Sequence, residues 1–186
     1  MASGSSHDRG TWWLALPFGL LCWPILGWIG SATAALAFLF GGLLLSPDLD
    51  TRSRPTRRWG PLRLLWWPYR KLLRHRSLLS HGPFLGTLGR VGYLGGLVLG
   101  LAGLLTPWGA PTPAALLHWG QLAWNQHPVL LLLALIGLEA SAWLHLIQDG
   151  DPVAKTPRVL RFLGQRRRRR AGLGRRRQAR GRGRRP

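Results

Sequence analysis

Carboxylates are scarce in this chain: 186 residues hold 6 Asp and Glu against 26 Lys and Arg, for a formal net charge of +20. Hydrophobic residues make up 46% of the same sequence. Together these exclude a soluble globule with an ordinary mixed-charge surface. Charge is also missing locally. No Asp, Glu, Lys or Arg lies between Arg9 and Asp48, nor between Arg90 and Glu139. Each gap exceeds the ~20 residues that one membrane-spanning helix needs. The single cysteine, Cys22, sits within the first gap. It excludes an intramolecular disulfide framework, and a lone thiol in an apolar run serves packing. The length suits one compact unit better than two.

What is present points to a bilayer. The 11 tryptophans cluster near the ends of apolar runs and in connecting segments, as in interfacial aromatic belts. The apolar pattern predicts an all-α integral membrane bundle of about four short transmembrane helices with interfacial helices beside them. A hairpin is predicted over 12–29 and 31–45, turning near Gly27 to Gly30. Pro47 ends its second arm, because the residue before a proline disfavours helix. Ala32-Thr33-Ala34 resembles a cleavage site, but the segment before it has almost no positive n-region, so the first arm is read as retained. The third and fourth spans are predicted over 84–105 and 128–147, with an interfacial helix over 114–125. Arg90, near the start of the third span, is expected to snorkel to the interface. Over 61–73, Leu62, Leu65, Tyr69, Leu72 and Leu73 share a helical face, predicting a helix in the headgroup plane bent at Pro68.

The segment 51–76 is strongly basic and the link 106–128 carries no Lys or Arg. The positive-inside rule then places both termini on the cytoplasmic side of a plasma or thylakoid membrane. The helical, metal-binding domain is read as 1–157, and 158–186 as an arginine-rich disordered tail. Anionic lipid headgroups are the tail's expected partner, with nucleic acid the second.

With so few acids, their positions are informative. Asp8 follows His7; Asp48 and Asp50 stand in SPDLD; Asp149 follows His145 by four residues in HLIQD; His75 and His81 open and close HRSLLSH. The predicted topology brings all of these to one face of the bilayer, and leaves His118 and His127 on the other. His145 and Asp149, at i and i+4, share a helix face. Asp48 and Asp50 point alike if the chain is extended there. A lone histidine at a helix end is usually interfacial; the convergence of several carries the reading. Imidazole with carboxylate suits a divalent metal such as zinc, manganese or iron(II) rather than calcium. The donors outnumber the four of a closed zinc site, which implies two or more ions. Glu139 is a separate case, an ionisable group inside a span, able to hydrogen-bond a ligand histidine, Ser141 or a neighbouring helix.

These motifs, with Arg58-Trp59-Gly60 and Trp67-Pro68-Tyr69 between them, resemble a cyanobacterial family of predicted metal-binding membrane proteins. More distantly, the set is similar to LexA-regulated membrane-bound metal-dependent hydrolases, a group linked to the zinc phospholipase C and single-strand nuclease superfamily. The resemblance implies His7, Asp48, His75, His81, His145 and Asp149 as metal ligands. Asp50, Arg76 and Glu139 are then the expected catalytic groups, Arg76 toward phosphate oxygens. The implied activity is hydrolysis of a phosphoester or phospholipid-like substrate at the cytoplasmic membrane face; a non-catalytic metal-binding or sensing role is the alternative.

Overall fold

A computed structural model describes residues 3–73, 75 and 77–150. Arg76 and the expected tail, 158–186, lie outside the described residues. Among the described residues the chain is helical throughout, without a strand.

Helix α1 (Gly4–Leu21) starts at Ser3, whose hydroxyl accepts from the Ser6 N–H at 3.3 Å. It stops at Cys22 because Pro24 follows, and proline disfavours helix in the residue before it and has no N–H to continue the ladder. Helix α2 (Trp23–Leu43) is broken again at Leu26 and Gly27. Gly27 has φ +57°, a conformation that a residue with a Cβ adopts at a cost. The corner of the hairpin therefore runs from Cys22 to Gly27, starting earlier than the glycine pattern alone suggests.

Helix α8 (Pro128–Gln148) lies alongside α2 and parallel to it: Gly30 meets Leu133, Gly137 meets Ala34, and Gly41 meets Ser141. The approach is close enough that a Cβ on Gly137 would stand 2.6 Å from the Ala34 carbonyl oxygen. Such backbone contact is how small residues pack helices in membranes. Helix α1 runs antiparallel to both, since Gly19 faces Ser31 and Gly10 faces Gln148. The start of α1 and the ends of α2 and α8 thus share one end of the bundle.

At that end the chain makes its irregular connections. Pro47–Asp50 forms a 3₁₀ turn, followed by α3 (Arg54–Arg58), a second 3₁₀ stretch (Gly60–Leu65), α4 (Trp66–Leu72) and α5 (Leu78–His81). The expected amphipathic helix over 61–73 is therefore two pieces, joined at Leu65 and Trp66; Pro68 falls in the first turn of α4, where a missing N–H costs nothing. Its apolar face is also not as expected. Tyr69 is buried with Trp66, Leu45 and Leu49, whereas Leu62 and Leu72 are exposed. Trp66 packs edge-on to Trp59 and Tyr69, with ring centroids 5.3 and 5.4 Å away. This aromatic wedge supports the Pro47–Asp50 turn from beneath.

Helix α6 (Leu85–Leu105) leaves from the same end, and α7 (Pro113–Gln126) leads back into α8. Arg90 does not snorkel. It is 1% exposed and turns inward, donating to the Ser80 carbonyl at 2.7 Å and to Thr87 Oγ1 at 3.1 Å, because a carbonyl at α5 offers a charged donor more than bulk lipid can. Among the described residues, three segments are long and apolar enough to cross a membrane: Trp23–Asp50, Leu85–Trp108 and Pro128–Gln148. The sequence reading also counted the first arm, whose helix begins with the polar stretch from Gly4 to Thr11.

Candidate metal centre

Four segments meet at the irregular end. Helix α1 delivers His7 from its first turns, stiffened by Thr11 Oγ1 donating 3.0 Å to the His7 carbonyl. The 3₁₀ turn delivers Asp48 and Asp50. It is not extended, as the alternation argument required; Ser46 caps it and Pro47 presets its first φ. Asp48 and Asp50 consequently face opposite nitrogens of His81, and beyond it Asp48 meets His145 and Asp50 meets His75. His75 and His81 come from either side of α5's start, and His145 and Asp149 from the last turn of α8.

Imidazole and carboxylate alternate along a row. His75 Nδ1 lies 2.9 Å from Asp50 Oδ1; Asp50 Oδ2 lies 3.4 Å from His81 Nδ1; His81 Nε2 lies 3.7 Å from Asp48 Oδ1. His145 Nε2 lies 3.5 Å from the same Asp48 oxygen and 3.9 Å from Asp149 Oδ2, while Asp149 Oδ1 reaches His7 Nε2 at 3.2 Å. The His7 and His145 rings stack with centroids 4.0 Å apart. Three overlapping groups result, each with donor atoms within 4.8 Å of one another: His7, His145, Asp149; Asp48, His81, His145; and Asp50, His75, His81.

The donors fit a cation. His7 Nδ1 faces the accepting Gln148 Oε1 at 2.7 Å, so this nitrogen carries the hydrogen. Nε2 is left with a lone pair aimed at a carboxylate, a repulsive pairing unless a proton or metal lies between. The Nε2 atoms of His81 and His145 and the Oδ2 of Asp50 are buried without a hydrogen-bond partner, the kind of orphan that calls for an explanation. Their separations from Asp48, 3.5 and 3.7 Å, exceed ordinary hydrogen bonds. They approach the edge of a tetrahedral zinc shell, about 3.3 Å for bonds near 2.0 Å.

Burial pulls the His81 pKa down, but the carboxylates of Asp48 and Asp50 outweigh it, and the value rises from 6.5 to about 8. At neutral pH a proton therefore stands where a metal would.

Every ligand that the resemblance implied is brought to this cluster, and Asp50, expected to be catalytic, sits among the donors. Glu139 stands outside it: its Oε1 accepts the Phe84 N–H at 2.8 Å, holding the strained start of α6, where Phe84 has φ +60°. Asp8 pairs instead with Arg54 and Arg58, at 3.0 and 2.6 Å. His118 and His127 belong to α7 and the start of α8, away from the cluster. Sequence reasoning missed the groups that orient the histidines: Gln148 on His7, Ser46 Oγ at 3.5 Å from His145 Nδ1, and Ser80 Oγ at 3.1 Å from His81 Nδ1. Each neighbours a ligand in sequence, which is the one signal that was available.

The family described as uncharacterized metal-binding protein (DUF2227) matches residues 2–158. The chain belongs to that family. A curated protein of Aquifex aeolicus (strain VF5), described as an uncharacterized protein, is 47% identical over 60 residues, which are 32% of this chain and 42% of that protein. The match thus spans less than half of that relative's length. No solved structure matches the chain. The family description and the donor geometry agree on metal binding.

Proposed function

We propose that this chain is a membrane-embedded protein that holds two divalent ions at the cytoplasmic face, and that these serve hydrolysis of a phosphoester or phospholipid-like substrate. The observation that carries the proposal is the unbroken alternation of imidazole and carboxylate from His75 to His7. His145 limits the count. Its Nε2 serves both Asp48 and Asp149, and one ring nitrogen ligates one ion. The two groups that share it are therefore not complete together. Three divalent ions would also outweigh the charges of Asp48, Asp50 and Asp149 two to one in a buried site.

Two positions draw on all seven side chains of the row. The inner one takes His7, His145 and Asp149, with Asp48 Oδ1 3.5 Å from the Nε2 of His145. The outer one takes Asp50, His75 and His81, three donors, and the His75 side chain is 40% exposed. Three protein donors with solvent access is the pattern of catalytic rather than structural zinc. A divalent ion bound there supplies Lewis acidity toward a phosphoryl oxygen and acidifies water. The chain's own part is to orient: Gln148 and Ser46 fix the inner rings, and Arg76, next to His75 in sequence, is the group for a phosphate oxygen.

The membrane assignment rests on the three apolar spans, on α1 packed antiparallel to α2, and on the exposed Trp12, Trp13, Leu16 and Leu20 along α1. It makes α1 a fourth, short span, with both termini and the metal site cytoplasmic in a plasma or thylakoid membrane. Anionic lipid is the tail's proposed partner, nucleic acid its rival.

Elemental analysis of detergent-purified protein tests the ion count. Wild type should hold two equivalents, His75→Ala and His7→Ala one each, and the His75, His81, His145 triple alanine variant none. A phosphodiester reporter should be turned over by wild type and not by His75→Ala, although that variant keeps its inner ion. Three equivalents in wild type would refute the sharing argument. Metal-replete protein inert across a phosphoester panel would leave the metal-binding or sensing role in place of hydrolysis.

A further inference from the structure

A hollow of about 500 Å³ is lined by Arg52, Arg57, Arg63 and Arg70, with Leu64 and Trp67 as an apolar wall. Four segments supply the guanidinium groups. Arg52 follows the ligand Asp50 by two residues, Arg57 stands on α3, Arg63 on the second 3₁₀ stretch and Arg70 on α4. Convergence from separate elements distinguishes this arrangement from a charged helix face.

Their neighbours show what a satisfied arginine looks like here. Arg54 and Arg58 grip Asp8, and Arg58 also donates to the Leu43 carbonyl at 3.1 Å. Among the described residues, no hydrogen bond or ion pair engages the side chain of Arg52, Arg57, Arg63 or Arg70. Among the described residues no acid is left to offer them. Asp8 is taken, Asp48, Asp50 and Asp149 face the metal centre, Glu139 holds Phe84, and the sixth, Asp151, lies outside the described residues. Like charges gathered round a partly enclosed space repel one another, and none of the described carboxylates offsets them.

We propose that this hollow binds a phosphate group, and a phosphomonoester in preference to a diester. Guanidinium forks match phosphate oxygens in bidentate fashion. A monoester carries about −1.5 to −2 at pH 7, which serves four cations better than the single charge of a diester. The exposed Leu62, Leu64, Trp67 and Leu72 on the same stretch offer an apolar surface beside it. The phosphate is therefore that of an amphiphile's headgroup or a free phosphate, and the two sources are separable. This site is distinct from the metal centre and does not depend on hydrolysis there.

The test uses full-length, metal-loaded protein in neutral detergent and isothermal titration with three probes: inorganic phosphate, dihexanoyl phosphatidate and dihexanoyl phosphatidylcholine. Two variants are compared, a hollow triple (Arg57→Gln, Arg63→Gln, Arg70→Gln) and a tail triple (Arg175→Gln, Arg176→Gln, Arg177→Gln). Phosphatidate should bind wild type about tenfold or more tighter than phosphatidylcholine does, and the hollow triple should weaken it by a similar factor while the tail triple leaves it unchanged. Inorganic phosphate bound as tightly as phosphatidate, and lost in the same variant, supports the anion site with free phosphate as its source. Phosphatidate binding that survives in the hollow triple, or falls equally in both triples, overturns the proposal. Metal content equal to wild type shows that each variant is folded; should the triple lose metal, Arg57→Gln and Arg63→Gln singly carry the same comparison.

Discussion

His81 shows how one residue's surroundings set its chemistry. Its folded pKa of about 8 lies above the ordinary 6.5, so in metal-free protein its pairing with Asp48 and Asp50 is fully stabilising below pH 6.5 and is lost as pH rises through 8. A metal competes with that same proton. Apparent metal affinity should therefore climb with pH by about tenfold per unit up to about pH 8 and flatten above it. A competition titration against a chromophoric chelator between pH 6 and 9 measures this, and an affinity indifferent to pH would remove His81 from the ligand set. Gln148 is the second residue of interest. With its amide replaced in Gln148→Leu, the His7 ring loses its orienting partner, and metal affinity should fall by about 10- to 100-fold, as for other groups that steer a ligand.

Among the elements, the Pro47–Asp50 turn does most to build the site, and it depends on the aromatic wedge below it. Trp66→Ala should cost about 3–5 kcal/mol, the range for removing a buried large aromatic. Because Leu49 and Tyr69 pack on the same ring cluster, the variant should also lose metal, which thermal unfolding and elemental analysis would show together. The α2 and α8 pair is the other critical contact. Gly137→Val would press a branched side chain against the Ala34 carbonyl, splay the helices and separate Asp48 from His145. Metal loss in this variant, with no ligand altered, is the expected outcome; full metal content would mean that the helix pair tolerates a wider spacing than its backbone contact implies.

At the scale of the whole molecule, a bound metal would add to the packing that already joins α1, α2 and α8. His7, Asp48, His81 and His145 belong to segments from both ends of the sequence, and a ligand that binds only the folded state stabilises it by about 2.7 kcal/mol at a hundredfold excess over its Kd. Chelation should accordingly lower the midpoint of thermal unfolding in detergent, and re-addition of zinc should restore it. The apolar exterior makes a further demand. With Trp13, Leu21, Leu104 and Trp108 each more than 70% exposed, the protein should remain in the membrane pellet after an alkaline carbonate wash and leave it with detergent. Recovery in the aqueous fraction would contradict the proposed membrane setting.

The sequence by itself determined the helical class, apolar segments of spanning length and the histidines and aspartates that the fold brings together. Each of these follows from local composition, namely long uncharged runs and a few acids placed beside histidines. The backbone at SPDLD, the break between Leu65 and Trp66 and the inward turn of Arg90 were not legible, because neighbours distant in sequence decide them. The same holds for who faces whom. That Asp48 answers to His81 and His145 while Asp50 answers to His75 and His81, that Glu139 serves Phe84 rather than a ligand, and that four arginines are left without a carboxylate among the described residues are all consequences of packing. Spacing along a chain fixes which groups share a helix face; only the approach of one helix to another fixes the ångströms across which they act.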